Sequence, residues 1–182
     1  QFMRKVVEIH SDDDYVKRTE YRGKAYFVGA LSRINNNHQQ LNPIAKQAFK
    51  HLKLKMPITN SFYNVYCQGI EMIHFVEEIQ KLLQQYFTMK HAKPMEKYEV
   101  RAGKGVGAIE APRGILLHYY ETDKNGMLKN VNIITPTAQF INNLEDDLRQ
   151  YMGSMKSMSA TNQRKLAMMI RAYDPCMTCA TH

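Results

Sequence analysis

The stretch Cys176-Met-Thr-Cys179-Ala-Thr-His182 decides how the remainder of this sequence is interpreted. A Cys-x-x-Cys pair places two soft sulfur donors within reach of one metal ion, and a histidine adds a borderline nitrogen donor. A structural zinc site needs two more ligands, and the remaining cysteine, Cys67, stands alone in an apolar stretch. Haem attachment requires a histidine directly after the second cysteine, where this chain has Ala180. The pair is ambiguous on its own, and these common interpretations fit it poorly.

Three motifs, in order along the chain, resemble those of the large subunit of nickel–iron hydrogenases. The family's C-terminal signature is matched by Arg171-Ala-Tyr-Asp174-Pro175-Cys176-Met-Thr-Cys179-Ala-Thr-His182. Its Glu-Ala-Pro-Arg-Gly-x-Leu-x-His motif is similar to Gly107-Ala-Ile-Glu110-Ala-Pro112-Arg113-Gly114-Ile-Leu-Leu-His118. The Thr-Pro-Thr-Ala-Gln version of cytoplasmic archaeal and bacterial members is similar to Ile133-Ile-Thr-Pro136-Thr137-Ala-Gln139. Weaker similarities extend over nearly the whole chain, in Gly29-Ala-Leu-Ser-Arg33 and Ile70-Glu71-Met-Ile-His74.

The resemblance implies a set of metal ligands. Cys176 would be the terminal nickel ligand and Cys179 the thiolate that bridges nickel and iron, in a centre that also carries CO and cyanide. In the same family the terminal cysteine can accept a proton when hydrogen is cleaved, which is reasonable chemistry for a metal-bound thiolate. His182 would help to bind a further ion, magnesium or iron, together with a backbone carbonyl near Ile133.

The resemblance also implies residues that surround the metals. Arg113 would lie above the open coordination position, with Asp174 pairing with its guanidinium and Pro112 belonging to the same canopy. Because a guanidinium does not readily lose its charge, Arg113 is expected to polarise and orient hydrogen, and a role as the base is the alternative that the resemblance offers. Pro136 and Thr137 would face the cyanide ligand of the iron, where a small hydroxyl suits a diatomic acceptor.

A single unit, residues 1–182, is expected, corresponding to the C-terminal portion of a longer large subunit. The family's other Cys-x-x-Cys lies in the N-terminal portion, so this chain would supply only two of the four thiolates. The implied partners are therefore that N-terminal portion, as a separate chain or an unseen segment, an iron–sulfur small subunit and further electron-transfer subunits. The electron acceptor stays open among a nicotinamide, a deazaflavin, ferredoxin and a heterodisulfide reductase.

Composition is compatible with this interpretation. The 182 residues are 44% hydrophobic, enough for one sizeable core or part of a larger one. The net charge is +8, but the lysines are scattered and no basic arm or aromatic platform accompanies them, so nucleic acid is not the expected partner. Three cysteines argue against a disulfide framework and for a reducing compartment. Without an apolar run of about 20 residues, no membrane span is predicted, and we expect a cytoplasmic protein.

Hydrophobic periodicity and turn residues predict an α+β fold, mainly a helical bundle with a long buried helix and small antiparallel β elements. A strand pair is expected within residues 14–31, a strand at 97–101 and a hairpin of 115–121 with 127–134 around Asn125-Gly126. Residues 103–107 are expected to be flexible backbone. Helices are predicted at 42–54, where Asn42-Pro43 is a start signal, and at about 59–86, 138–152 and 161–172.

The predicted function is thus the C-terminal part of a nickel–iron hydrogenase large subunit, which cleaves H2 reversibly to protons and electrons. One alternative is a metal-free homologous subunit of a quinone-reductase-type respiratory complex, against which the presence of Cys176, Cys179 and His182 argues. The other alternative is a zinc-binding basic module that acts on nucleic acid. Metal analysis distinguishes the three.

Overall fold

The computed structural model describes residues 6–9, 16–89 and 97–181. In this part of the chain, helices and short antiparallel strands form the mixed architecture that the sequence predicts. The strands are β1 (Val6–Ile9), β2 (Arg18–Tyr21), β3 (Gly103–Ala111), β4 (Gly114–Thr122) and β5 (Leu128–Ile134). The helices are α1 (Ala30–Asn37), α2 (Pro43–His51), α3 (Asn64–Thr88), α4 (Pro136–Gly153) and α5 (Ala160–Tyr173).

The predicted hairpin is confirmed and is extended by a third strand. β4 pairs antiparallel with β5 through a turn in which Gly126 has a φ of 78°, and the Asp123 carboxylate accepts the N–H groups of Asn125 and Met127. β3 pairs along its whole length with β4. The predictions of flexible backbone at 103–107 and of a strand at 97–101 are both wrong. Three glycines weaken the strand signal of β3, which gains its hydrogen bonds from β4.

The strand pair predicted within residues 14–31 forms only in part, and residues 14 and 15 lie outside the described residues. β2 pairs antiparallel with β1, while beyond the Arg22-Gly23 turn the chain makes only an isolated bridge between Tyr21 and Lys24. From Ala30 the chain is helical, although no helix is predicted there. Leu31 and Ile34 lie on one face of this helix and are buried. The helix has only eight residues, too few for the apolar spacing to repeat and give a clear helical pattern.

The predicted start of α2 is correct, and its end comes three residues early. Pro43 occupies the first helical position, and the Glu77 carboxylate accepts the N–H groups of Ile44 and Ala45. An acidic side chain at this position stabilises a helix N-terminus. The helix ends at His51, before the left-handed residue Lys53, which has a φ of 48°. α4 and α5 agree with the predicted helices to within about two residues at each end, the usual uncertainty of helix boundaries.

The long helix α3 is confirmed, but its burial within this chain is confined to the N-terminal part, where Asn64, Cys67, Ile70 and Glu71 are buried. Its C-terminal part carries large apolar side chains that are each at least 48% exposed. We call them the exposed apolar end of α3: Met72, Phe75, Val76, Ile79, Leu82, Leu83, Tyr86 and Phe87. Among the described helices, none has the length and hydropathy that a membrane span requires.

Two apolar clusters form the main core, and Phe27 packs against both. One joins α1, α2 and α3 around Ala30, Leu31, Ile34, Ala45, Ile58, Cys67 and Ile70. The other joins α4 and α5 around Phe140, Ile141, Leu144, Met169 and Tyr173. Thr19 is fully buried on β2 and donates a hydrogen bond to the carbonyl of Ala138, which fixes the first turn of α4 against the small sheet. The N-terminus of α4 is thereby held in place.

Cys67 provides a test of the first cluster. Burial, reinforced by the charge of Glu71, raises the pKa of its thiol to about 12. Because only the thiolate reacts with alkylating reagents, we predict that Cys67 resists modification at about pH 8 in the folded protein and reacts once the protein is unfolded. Mass spectrometry after labelling measures this, with the partly exposed Cys176 and Cys179 as internal controls after reduction. Rapid labelling of Cys67 in the folded protein would contradict the packing described.

Candidate metal centre

The C-terminal cysteine pair is held in a tight turn directly after α5. Asp174 adopts the left-handed conformation, with φ 54° and ψ 52°, and ends the helix. The following 3-10 turn, Met177–Ala180, brings the second cysteine back, so that the Cys179 N–H donates to the Cys176 carbonyl over 3.0 Å. The Cα atoms of Cys176 and Cys179 are 5.3 Å apart, and their sulfur atoms are joined as a disulfide. Both residues are partly exposed.

This pair fits the donor set of a soft metal ion once it is reduced. Metal binding requires thiolates, so the disulfide must be opened before either sulfur can act as a ligand. The bond links residues three positions apart and connects no distant elements, so it is no disulfide framework of the kind that the sequence argues against. Within the described residues, no group of three or more His, Cys, Asp or Glu side chains is placed to hold a metal.

The start of α4 lies directly against this turn. Thr135 caps the helix by accepting the Ala138 N–H, and Pro136 follows at the first helical position. Thr137 is only 1% exposed, and its hydroxyl oxygen accepts the backbone N–H of Cys176 over 3.2 Å. The hydroxyl proton of Thr137 remains available for donation, because a threonine hydroxyl can accept and donate at the same time. The Thr-Pro-Thr motif thus positions the first cysteine.

Arg113 reaches the same place from the turn between β3 and β4. Its Nε donates to the Asp174 carbonyl over 2.7 Å, and Nη2 donates to Oδ1 of Asp174 over 3.1 Å. The predicted pairing of Arg113 with Asp174 is therefore present. Both side chains are more than one-third exposed, so the ion pair contributes at most about 1 kcal/mol to stability. Its main effect is to orient the planar guanidinium beside the residues that lead into Cys176.

Further contacts connect the three motifs. The fully buried Gln139 on α4 donates through Nε2 to the Ile115 carbonyl over 2.6 Å, which joins the start of α4 to the start of β4. Gly29 and Gly114 have φ angles of 112° and 138°, and a Cβ on Gly29 would lie 2.8 Å from the Arg113 carbonyl oxygen. The Arg113 turn therefore packs directly on the backbone that begins α1, an approach that only glycine permits.

The remaining predicted residues are placed as follows. Pro112 is exposed in the turn before Arg113. Ile133 lies half-buried on β5 opposite His118, and the role of its carbonyl as an ion ligand stays a prediction. His182 lies outside the described residues, so the prediction for it is not tested.

Arg33, Glu71 and Glu110 are the neighbours of this site to which the sequence assigned no role. Arg33 forms ion pairs with both carboxylates and donates to the carbonyls of Ala111 and Pro112. The signal for them was present in the weaker similarities around Gly29–Arg33 and Ile70–Glu71, and in the glutamate that precedes Pro112. Their association required the fold, because α1, α3 and β3 are far apart in sequence.

Comparisons with known proteins agree with this geometry. The chain is 34% identical to sulfhydrogenase 1 subunit alpha of Pyrococcus furiosus over 97% of its length and 41% of the relative. It is 30% identical to the NAD-reducing hydrogenase HoxS subunit beta of Cupriavidus necator, over 92% of this chain and 36% of that protein. The chain spans about two fifths of the length of these curated relatives.

Solved structures show the same fold. An NAD+-reducing [NiFe]-hydrogenase in the H2-reduced state matches the whole chain and 42% of its own chain with a TM-score of 0.82 at 24% identity. The [NiFeSe]-hydrogenase of Dm. baculatum matches 94% of the chain and 38% of its own with a TM-score of 0.72 at 26% identity. The nickel-dependent hydrogenase family profile matches residues 3–182. With three of its motifs converging on one cysteine pair, the chain belongs to the nickel-dependent hydrogenase family.

Proposed function

We propose that this chain carries the C-terminal part of the catalytic centre of a nickel–iron hydrogenase large subunit, and that the assembled protein cleaves H2 reversibly to protons and electrons. One observation carries the proposal: Arg113, Thr137 and the cysteine pair, from three separate parts of the chain, meet around Asp174 and Cys176. A buried structural cysteine pair has no need of an oriented guanidinium beside it. Heterolysis of hydrogen is assisted by a base that accepts the proton and by a fixed charge near the reacting molecule.

Cys176 and Cys179, once reduced, would hold the nickel–iron centre, with CO and cyanide as its other ligands. When bound, this centre would supply two-electron redox chemistry and an open coordination position. The Cys176 sulfur would accept the proton, and the Thr137 hydroxyl would donate to a cyanide nitrogen while it holds the Cys176 amide. Pro136, fixed at the start of α4, and Pro112, in the Arg113 turn, would line the same space and keep it dry.

Arg113 would act as a fixed positive charge. Its contacts with the Asp174 carbonyl and carboxylate would fix the orientation of the guanidinium. The remaining N–H groups would then point in one direction, from which they can polarise hydrogen. Proton acceptance is then assigned to the Cys176 sulfur and orientation to Arg113. Asp174 serves both, because it holds the guanidinium and starts the turn that presents Cys176.

The remainder of the large subunit would supply the other two thiolates. Cys176 and Cys179 supply two thiolates, and the exposed apolar end of α3 would be buried against the remainder of the large subunit. An iron–sulfur small subunit and further electron-transfer subunits would receive the electrons, in the cytoplasm. His182 and the Ile133 carbonyl would contribute to a magnesium or iron site. Named relatives include both an NAD-reducing and an F420-non-reducing hydrogenase, so the similarity does not select an acceptor.

Infrared spectroscopy of the protein purified anaerobically with its native subunits tests the proposal directly. Metal-bound CO and cyanide absorb in a window in which polypeptide does not, and their bands would establish the cofactor. A quinone-reductase-type homologue would lack these bands and nickel, and a zinc module would contain zinc alone and bind polynucleotide in a salt-dependent manner. Absence of the bands from fully native protein would overturn the proposal.

The ligand assignment predicts that Cys179→Ser abolishes assembly of the centre and that Cys176→Ser is at least as harmful to hydrogen oxidation. A serine hydroxyl is a harder and less acidic donor than a thiol, so it does not replace a bridging thiolate. Nickel and iron content and the infrared bands measure the outcome. The matched control is Cys67→Ala, which removes the buried thiol of the α3 cluster and should leave metal content unchanged. Full activity in either serine variant would refute the assignment.

The assignment of Arg113 predicts a loss of turnover without a loss of metal. Arg113→Lys keeps the charge but cannot reproduce the planar contacts with the Asp174 carbonyl and carboxylate, so we expect hydrogen oxidation to fall by about a hundredfold or more. Metal analysis and infrared spectra should match the wild type. Arg149→Lys, at a side chain 70% exposed on α4, is the control. Normal turnover of fully metallated Arg113→Lys protein would reduce Arg113 to a structural residue.

The proposal that another portion of the large subunit completes the site leads to a further prediction. Produced alone, this chain should be metal-free, inactive and prone to aggregate, because the apolar end of α3 has no cover. Replacement of Ile79 and Leu83 by glutamine should improve the solubility of the chain alone and weaken its recovery with the rest of the large subunit. Ile44→Gln, at a single exposed apolar residue on α2, should change neither. A soluble, nickel-containing monomer that oxidises hydrogen would contradict the divided site.

A further inference from the structure

Arg33 on α1 is the centre of a partly buried ionic cluster beneath the Arg113 turn. Its Nε and Nη2 each donate over 2.7 Å to the two carboxylate oxygens of Glu71, and Nη1 donates to Glu110 over 2.5 Å. The Arg33 and Glu71 side chains are only 17% and 10% exposed. Burial alone would lower the pKa of Arg33, but the hydrogen bonds and charges of Glu71 and Glu110 raise it above its ordinary value. The group is therefore a permanent cation.

The same guanidinium also holds two consecutive peptide carbonyls. Nη1 donates to the Ala111 carbonyl over 2.9 Å and Nη2 to the Pro112 carbonyl over 2.7 Å. Arg113 is the next residue. A planar guanidinium carries N–H groups in a rigid fork, so it can bind a carboxylate on one side and peptide oxygens on the other at the same time. Glu71 thus orients the Arg33 guanidinium, and the guanidinium holds the backbone directly before Arg113.

Backbone contacts also support the turn. Its Arg113 carbonyl rests against Gly29, the residue before α1, and its residues 111 and 114 are paired at the end of the β3–β4 ladder. β3 is exposed along almost its whole length, and Glu110 near its end makes its contact with the turn region through Arg33. The start of α1 and the guanidinium of Arg33 therefore both contact the backbone of the turn.

We propose that Arg33 is a positioning residue, which acts through the Ala111 and Pro112 carbonyls to place the Arg113 guanidinium at the metal centre. This inference rests on the proposed function of Arg113. Arg33 itself contacts neither Asp174 nor the cysteine pair among the contacts of the described residues. Asp174 holds the guanidinium of Arg113, and Arg33 holds the backbone that precedes Arg113. A catalytic site requires its groups to be positioned to within about 0.5 Å.

Arg33→Lys is the informative variant. A lysine keeps a positive charge against the buried Glu71 carboxylate, so it avoids an unpaired buried charge, but it cannot bind Glu71 and two carbonyls together. In the assembled protein we expect the metal bands to persist, kcat for hydrogen oxidation to fall by about ten- to a hundredfold, and KM for H2 to stay the same. Arg149→Lys again serves as the control and should match the wild type.

A double variant separates positioning from a general structural role. If Arg33 acts through Arg113, then Arg33→Lys should cause no further loss of kcat in a protein that already carries Arg113→Lys, because residues acting as a unit are not additive. A structural ion pair would instead reduce kcat by the same factor in both Arg113 backgrounds.

Glu110→Gln, at a half-exposed carboxylate that binds Arg33, provides a milder variant and should produce a smaller loss of kcat.

Amide hydrogen exchange gives a readout that needs no activity. In Arg33→Lys protein, exchange should increase in the peptide that spans residues 109–116 and stay unchanged in β5. Equal losses in both Arg113 backgrounds, or unaltered exchange in the turn, would overturn the inference even if the wild type is an active hydrogenase. Absence of metal bands and hydrogen oxidation from the wild type would instead refute the proposed function. The exchange experiment would still test whether Arg33 holds the turn.

Discussion

The contact between Arg113 and Asp174 is the interaction on which the candidate site depends. It joins a turn of the sheet to the end of α5 across 61 residues of sequence. The left-handed conformation of Asp174 ends the helix, and the Arg113 Nε donates a hydrogen bond to the Asp174 carbonyl. One residue therefore terminates α5, orients a guanidinium and starts the cysteine turn.

The surroundings explain why this contact is well defined although its side chains are partly exposed. Each of the three converging segments accepts a hydrogen bond from a buried polar side chain or donates one to it: Ala138 with Thr19, Ile115 with Gln139, and Cys176 with Thr137. A buried polar group without a hydrogen-bond partner destabilises the fold, so such contacts favour one arrangement of the backbone. Arg33 adds the same kind of constraint beneath the turn. The cysteine pair thus lies on a rigid base.

The distribution of apolar surface is uneven in an informative way. α1, the N-terminal part of α3, α4 and α5 contribute apolar side chains to two clusters against which Phe27 packs, whereas α3 beyond Glu71 leaves eight large ones exposed. A helix that is apolar on its exposed side is typical of an interface. Together with a match to about two fifths of each relative, this surface agrees with the proposal that another segment of polypeptide completes the centre.

The sequence by itself determined the features that depend on neighbouring residues. The Asn-Gly hairpin, the Asn-Pro start of α2, the helices α4 and α5 and the spacing of the cysteine pair are all local, and the order of three motifs indicated the family. Only the tertiary structure decided the pairing of β1 with β2, the strand β3 and the ion pairs of Arg33 with Glu71 and Glu110. The ion pairs join segments that are distant in sequence, whereas β3 lies next to β4 along the chain but depends on it for its hydrogen bonds. In each case the partner sets the outcome more than the residues of the segment itself do. The burial of α3 follows the same rule, because periodicity marks an apolar helix but does not say which neighbour covers it.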